Sequence, residues 1–152
     1  MSEIFIQLLN DVHQCTLCHN SLALGANPVV QISPSAKVLI AGQAPGLKVH
    51  QSGIPFDDKS GERLRAWLGV DTATFYNDKF FAILPMAFCY PGKGNAGDLP
   101  PRVECARQWR EKILQQLSQI ELIIAIGSYA QNWHLAKSKM PTLTKTVKHW
   151  QQ

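Results

Sequence analysis

Lys37-Val38-Leu39-Ile40-Ala41-Gly42-Gln43-Ala44-Pro45-Gly46 is the stretch on which the fold turns. A short apolar run without polar alternation stops at a glycine, as a strand of a parallel sheet does when it is buried on both faces. Two further runs read the same way. Residues 80–84 (Phe-Phe-Ala-Ile-Leu) are halted by Pro85, and residues 121–126 (Glu-Leu-Ile-Ile-Ala-Ile) stop at Gly127. Helical patterns lie around and between them. Residues 2–13 place Ile4, Phe5, Leu8, Leu9 and Val12 on one face behind a Ser2 cap. A second helix is expected to start at a Ser60 cap, turn Leu64, Trp67 and Leu68 inward and stop at Gly69. A third runs from Pro101 to about Leu117, a fourth opens at Ser128, and Thr144–Trp150 forms the last. Strands alternating with helices predict an α/β domain with a parallel sheet.

The composition agrees. With 152 residues, 45% hydrophobic and 17% charged, the chain is expected to form one globular domain over 1–152. No apolar run reaches membrane-spanning length, and Met1-Ser2-Glu3 lacks the basic region of a secretory leader, so a cytoplasmic, membrane-free protein is expected. Charge is uneven: residues 1–76 hold five Lys/Arg against six Asp/Glu, and residues 77–152 hold ten against five. The basic half suits a polyanionic partner, and equally an ordinary solvated surface.

In open α/β sheets ligands bind beyond the carboxyl ends of the strands. The turn Gly42-Gln43-Ala44-Pro45-Gly46 falls there, and so does Pro85 to Cys89. Gly42 and Gly46 permit close backbone approach, Pro45 stiffens the turn, and the Gln43 amide both donates and accepts. Further along lies His50-Gln51-Ser52-Gly53-Ile54-Pro55-Phe56-Asp57-Asp58, which gathers an imidazole, an aromatic ring and two carboxylates. Phe56 reads either as a stacking platform for a flat ligand or as an anchor for the loop, and Asp58 as a rim residue or the cap of the next helix. The loop has no Walker lysine and no Gly-x-Gly-x-x-Gly, which argues against a nucleotide cofactor.

Cys15 and Cys18 form a C-x2-C pair, and Cys89 and Cys105 follow far downstream. All-cysteine ligation suits a [4Fe–4S] cluster or tetrahedral zinc. Two disulfides, weakened by the lack of a secretory leader, and inert thiols are the alternatives. A zinc-ribbon or thiol-redox protein built on Cys15-x2-Cys18 would leave Cys89, Cys105 and the Gly42–Gly46 turn without a role.

Taken together, Cys15-x2-Cys18, the strand Val38–Ala41 leading into Gly42-Gln43-Ala44-Pro45-Gly46, Ser52-Gly53-Ile54-Pro55-Phe56 with Ser60-Gly61, and Cys89 with Cys105 beyond a Pro/Gly-rich stretch resemble the iron–sulfur branch of the uracil-DNA glycosylase superfamily. The likeness runs from about residue 12 to residue 136. It implies a three-layer α/β/α fold with strand order 2-1-3-4, and a [4Fe–4S] cluster on Cys15, Cys18, Cys89 and Cys105, with zinc as the alternative. It implies hydrolysis of the N-glycosidic bond of uracil or another damaged base in DNA, after the base is flipped into a pocket. Gly42, Gln43, Ala44, Phe56 and Met86 would bind the base, and Gln43, His50 and Asp58 would serve the chemistry.

The chain also departs from that pattern. Relatives carry Glu at the position of Gln43 and a base-reading Asn near Pro85, so the excised base stays open. The acidic residue usual in the first loop is replaced around His50, which makes His50 the expected group for polarising water or stabilising the departing base. A fourth strand and a His-Pro-Ser loop are absent before Gln152. The expectation is therefore a C-terminally shortened domain, weak or inactive as an enzyme. A non-catalytic, metal-bearing nucleic-acid binder is the alternative. Further expectations are that Gln43, His50 and Phe56 line one cleft, and that the protein is a monomer whose strand 121–126 is an open edge prone to association.

Overall fold

The computed structural model describes residues 1–151 and makes Val38–Ala41 the middle strand of the main sheet. In chain order the elements are α1 (Glu3–His13), β1 (Val38–Ala41), α2 (Leu47–Ser52), α3 (Lys59–Leu68), α4 (Thr72–Phe75) and β2 (Phe81–Ile83). The small antiparallel pair β3 (Lys93–Gly94) and β4 (Gly97–Asp98) follows. Next come α5 (Val103–Cys105), a π-helical segment (Ala106–Arg110), α6 (Glu111–Gln116), β5 (Leu122–Ala125), α7 (Gly127–Leu135) and α8 (Leu143–Lys148).

The sheet order is β2-β1-β5, all parallel, with Val38 opposite Phe81 and Leu122, and Ile40 opposite Ile83 and Ile124. This is the 2-1-3 part of the expected order; among the described residues no strand pairs with the outer edge of β5.

Alternation along β1 separates two cores. Leu39, with Ala82 and Leu84, packs under α1 and the 103–116 helix through Phe5, Val12, Trp109 and Ile113. Ile40, with Phe81 and Ile83, faces Leu64 and Phe75 of α3 and α4. Helices therefore cover both faces, and the architecture is the expected three-layer α/β/α.

Three local expectations need correction. The cap of α3 is Asp58, not Ser60: the Asp58 carboxylate accepts from the Gly61 amide at 2.9 Å, and the Ser60 hydroxyl donates to the same oxygen at 2.6 Å. A carboxylate competes well for this place because it also meets the positive end of the helix. Trp67 is not inward. It is 78% exposed, because Gly61, Leu64 and Leu68 take the core side of α3. Pro101 precedes α5, which begins at Val103, instead of sitting in its first turn. The Ser2 cap of α1 and the Gly69 stop of α3 are as expected.

Candidate active site and cysteine cavity

The three strand ends are tied together where the site begins. Ile126 N–H donates to Ala41 O at 2.8 Å, Met86 N–H to Gly42 O at 2.9 Å, and Ala87 N–H to Gln43 O at 3.1 Å. The Gly42–Gly46 turn is thereby fixed to the loop after β2, so its shape is set before any ligand arrives. Over it opens a cleft of about 330 Å³, within the range usual for ligand sites. Its lining includes Gly42, Gln43, Ala44, Phe56, Asp58 and Pro85.

Phe56 is held in an unusual way. Its φ is +56°, rare for a bulky residue, and its carbonyl accepts from Arg65 Nη1 at 3.2 Å. The ring meets Phe75 edge-on at 6.0 Å, and its tip comes close to Gly42. It is both the loop anchor and a wall of the cleft.

Asp58 uses one oxygen as the helix cap. Its Oδ2 faces Gly46, where an added methyl would lie 3.9 Å from it and 3.9 Å from Asp98 Oδ2. Two carboxylates thus approach the same turn from opposite elements. Asp98 was missed in the sequence because only the β3–β4 pairing carries it there.

Of the expected site residues, Gly42, Gln43, Ala44, Phe56 and Asp58 line the cleft, while His50 and Met86 do not. On the short helix α2 it is Val49 that faces the cleft. The His50 ring lies against Tyr90 at 6.1 Å, with its Nδ1 buried and unpartnered among the described residues. Met86 is buried with Ala41, Ala106 and Ala130 behind the turn. Its amide, not its side chain, supports the site. On the far wall, α3 lines the cleft with Ser60, Arg63, Leu64 and Trp67.

Behind the cleft stands Arg110, a fully buried residue that the sequence reading passed over. Its Nη1 donates to Leu84 O at 3.0 Å and Pro85 O at 2.8 Å, and its Nη2 lies 2.7 Å from His134 Nε2. Guanidinium only donates, so His134 Nε2 accepts and its proton sits on Nδ1. Burial lowers Arg110 to about 10; burial, then the neighbouring Arg110 charge, lowers His134 to about 4.

All four cysteines are free thiols and line one second, smaller cavity. Trp109 Nε1–H donates to Cys15 Sγ at 3.2 Å, and Phe88 N–H to Cys105 Sγ at 3.4 Å. Burial first, with the neighbouring thiols adding to it, pushes Cys89 up to about 11 and Cys105 to about 12. Among the described residues no three Cys, His, Asp or Glu side chains converge tightly enough for a single metal ion.

A family model described as the uracil DNA glycosylase superfamily matches residues 29–151, which takes in the whole sheet and every residue of the cleft. The chain belongs to the uracil DNA glycosylase superfamily. Superfamily membership brings with it DNA glycosylase-like function, the superfamily being one of hydrolytic DNA glycosylases in general. The family acts on DNA, and no helix of the described residues is long and apolar enough to cross a membrane.

Proposed function

We propose that this superfamily member hydrolyses the N-glycosidic bond of uracil or another damaged base flipped out of DNA. The observation that carries this reading is the prefixed cleft at the carboxyl edge of the sheet, with the Gln43 amide, the Phe56 ring and the Asp58 carboxylate on its walls. A flipped base offers a flat face and a polar edge. Phe56 would take the face, and Gln43 would bond the edge. Asp58 Oδ2, the oxygen not engaged in capping, would hold the attacking water and take up its proton. Breaking the bond leaves negative charge on the departing base, which the Gln43 amide and the backbone amides of the turn would stabilise. His50 is not assigned a part in this chemistry, because it stands outside the cleft.

The four cysteines are proposed to hold a [4Fe–4S] cluster. Four sulfurs around one cavity, two of them accepting N–H bonds from Trp109 and Phe88, support that reading. Zinc needs sulfurs about 3.8 Å apart, from a Zn–S bond of about 2.3 Å. Zinc on the same four sulfurs is the alternative. The cluster would supply a crosslink between the N-terminal loop and the sheet. Anaerobically prepared protein should be brown with about four irons per chain; stoichiometric zinc in colourless protein would overturn the assignment.

The test of function is release of a free base from an oligonucleotide bearing one uracil, or another damaged base, followed by alkaline cleavage at the abasic site. Gln43→Ala should lower single-turnover release on the order of 100-fold while leaving DNA binding within a few-fold. Binding without release by the unaltered protein, over a panel of damaged bases, would instead establish the non-catalytic binder.

A further inference from the structure

Trp67 is large, apolar and 78% exposed, and it lines the same cleft as Gln43 and Phe56. An isolated exposed aromatic needs no explanation. Trp67 is not isolated: Ser60, Arg63, Leu64 and Trp67 fall at i, i+3, i+4 and i+7, one stripe of α3 directed to the cleft. Arg63, one turn before Trp67, is also exposed. A cation and an indole side by side on a cleft rim match a phosphodiester with its base, as stacking platforms in single-strand binders do.

Distance sets which base is meant. Six residues of helix separate Gly61, against Phe56, from Trp67, or about 9 Å along the axis. Stacked bases are spaced about 3.4 Å along one strand and further apart where the strand is distorted. Trp67 therefore stands fewer than about three stacked nucleotides from a base held against Phe56, and nearer to one where flipping stretches the strand.

We propose that Trp67 and Arg63 form a subsite for the nucleotide flanking the flipped base, with Trp67 stacked on the neighbouring base and Arg63 on its phosphate. The subsite rests on the glycosylase reading above. Flipping removes a stacking partner from each neighbour, and the indole replaces one of them.

The test uses the 152-residue protein and single-stranded oligonucleotides of about 15 nucleotides, with one uracil and 2-aminopurine on its 5′ or its 3′ side. Trp67→Ala should weaken binding by about 5- to 50-fold, in line with the loss of one stacked base, and Trp67→Phe should retain most of it. One of the two 2-aminopurine positions should change its fluorescence on binding to the unaltered protein, and not to Trp67→Ala. Arg63→Gln should lower the salt slope of binding by about one. The inference is overturned if Trp67→Ala binds within twofold of the unaltered protein, if neither 2-aminopurine responds, or if the unaltered protein does not bind these oligonucleotides. Failure of the glycosylase reading is distinct: base release would be absent, or unchanged by Gln43→Ala, while the Trp67 effect on binding persists.

Discussion

Gly61 shows why a single missing side chain can decide the shape of a site. A Cβ built there would lie 1.7 Å from the Phe56 carbonyl oxygen, a contact no rotamer change relieves because the oxygen is backbone and a Cβ is fixed by the backbone that carries it. Phe56 keeps its left-handed conformation by filling the space that Gly61 leaves. Gly53 is the contrast: its φ is +72°, but nothing lies within 4 Å of a Cβ there. Gly53→Ala should cost about 1–2 kcal/mol, the strain of a left-handed residue. Gly61→Ala should cost about 3 kcal/mol or more, because overpacking against backbone must displace the Phe56 loop. Urea midpoints of the two variants measure this directly, and a Gly61→Ala variant as stable as Gly53→Ala would mean the close approach is not maintained. The Ser60-Gly61 pair was visible in the sequence as part of a family pattern. Its physical reason was not, since the carbonyl it accommodates belongs to another segment.

At the scale of elements, the π-helical segment Ala106–Arg110 matters most. Its C-terminal residue, Arg110, reaches the Leu84 and Pro85 carbonyls at the end of β2, where the cleft begins. No carboxylate is among its hydrogen-bond partners; carbonyls and one imidazole engage Nη1 and Nη2, and the buried Nε has no partner among the described residues. Arg110→Met keeps the bulk and removes the donors, so two buried carbonyls lose their partners at about 1–3 kcal/mol each. A fall of about 3 kcal/mol in unfolding free energy is expected, and no change would show that water replaces the guanidinium. His134 adds a pH dependence. Its folded value, about 4, lies below the ordinary 6.5, so the unfolded chain binds the proton more readily. The stability this histidine contributes is complete above about pH 6.5 and is lost as pH falls toward 4. His134→Gln, which still accepts from Arg110, should flatten that part of the profile in thermal unfolding between pH 7.5 and 4.5. An unchanged slope would show that His134 is not held neutral.

Across the whole molecule, the two edges of the sheet are treated differently. The β2 edge is closed by Gln31, whose backbone exchanges two hydrogen bonds with Ile83 and whose amide bonds the Phe75 and Phe81 carbonyls. The outer edge of β5 has no such cover among the described residues, and Leu122 and Ile123 are 54% and 45% exposed on its two faces. The segment beyond α7 forms the helix α8 and adds no strand to this edge. An open apolar strand edge is a template for pairing with another chain. Concentration-dependent association is expected in sedimentation or light scattering, and Leu122→Lys should abolish it with little effect on thermal stability. A protein that stays monomeric as concentration rises would show the edge to be protected.

The strands and their parallel arrangement, the α1 cap, the α3 stop and the Gly42–Gly46 turn could all be read from the chain alone. Each is written in local signals: an apolar run closed by Gly or Pro, a helical period, or a spacing matched to a known pattern. Tertiary structure alone decided the rotation of each element about its own axis. Val49 and His50 are neighbours on α2, and only the docking of that helix turns Val49 to the cleft and His50 to Tyr90. The same holds for Trp67, for Met86 behind the turn, for Asp98 brought to Gly46 by a two-residue strand pair, and for Arg110 buried against the carbonyls of β2. Periodicity records which residues leave water, whereas which of them meet depends on contacts between segments distant in sequence, and no local pattern encodes those.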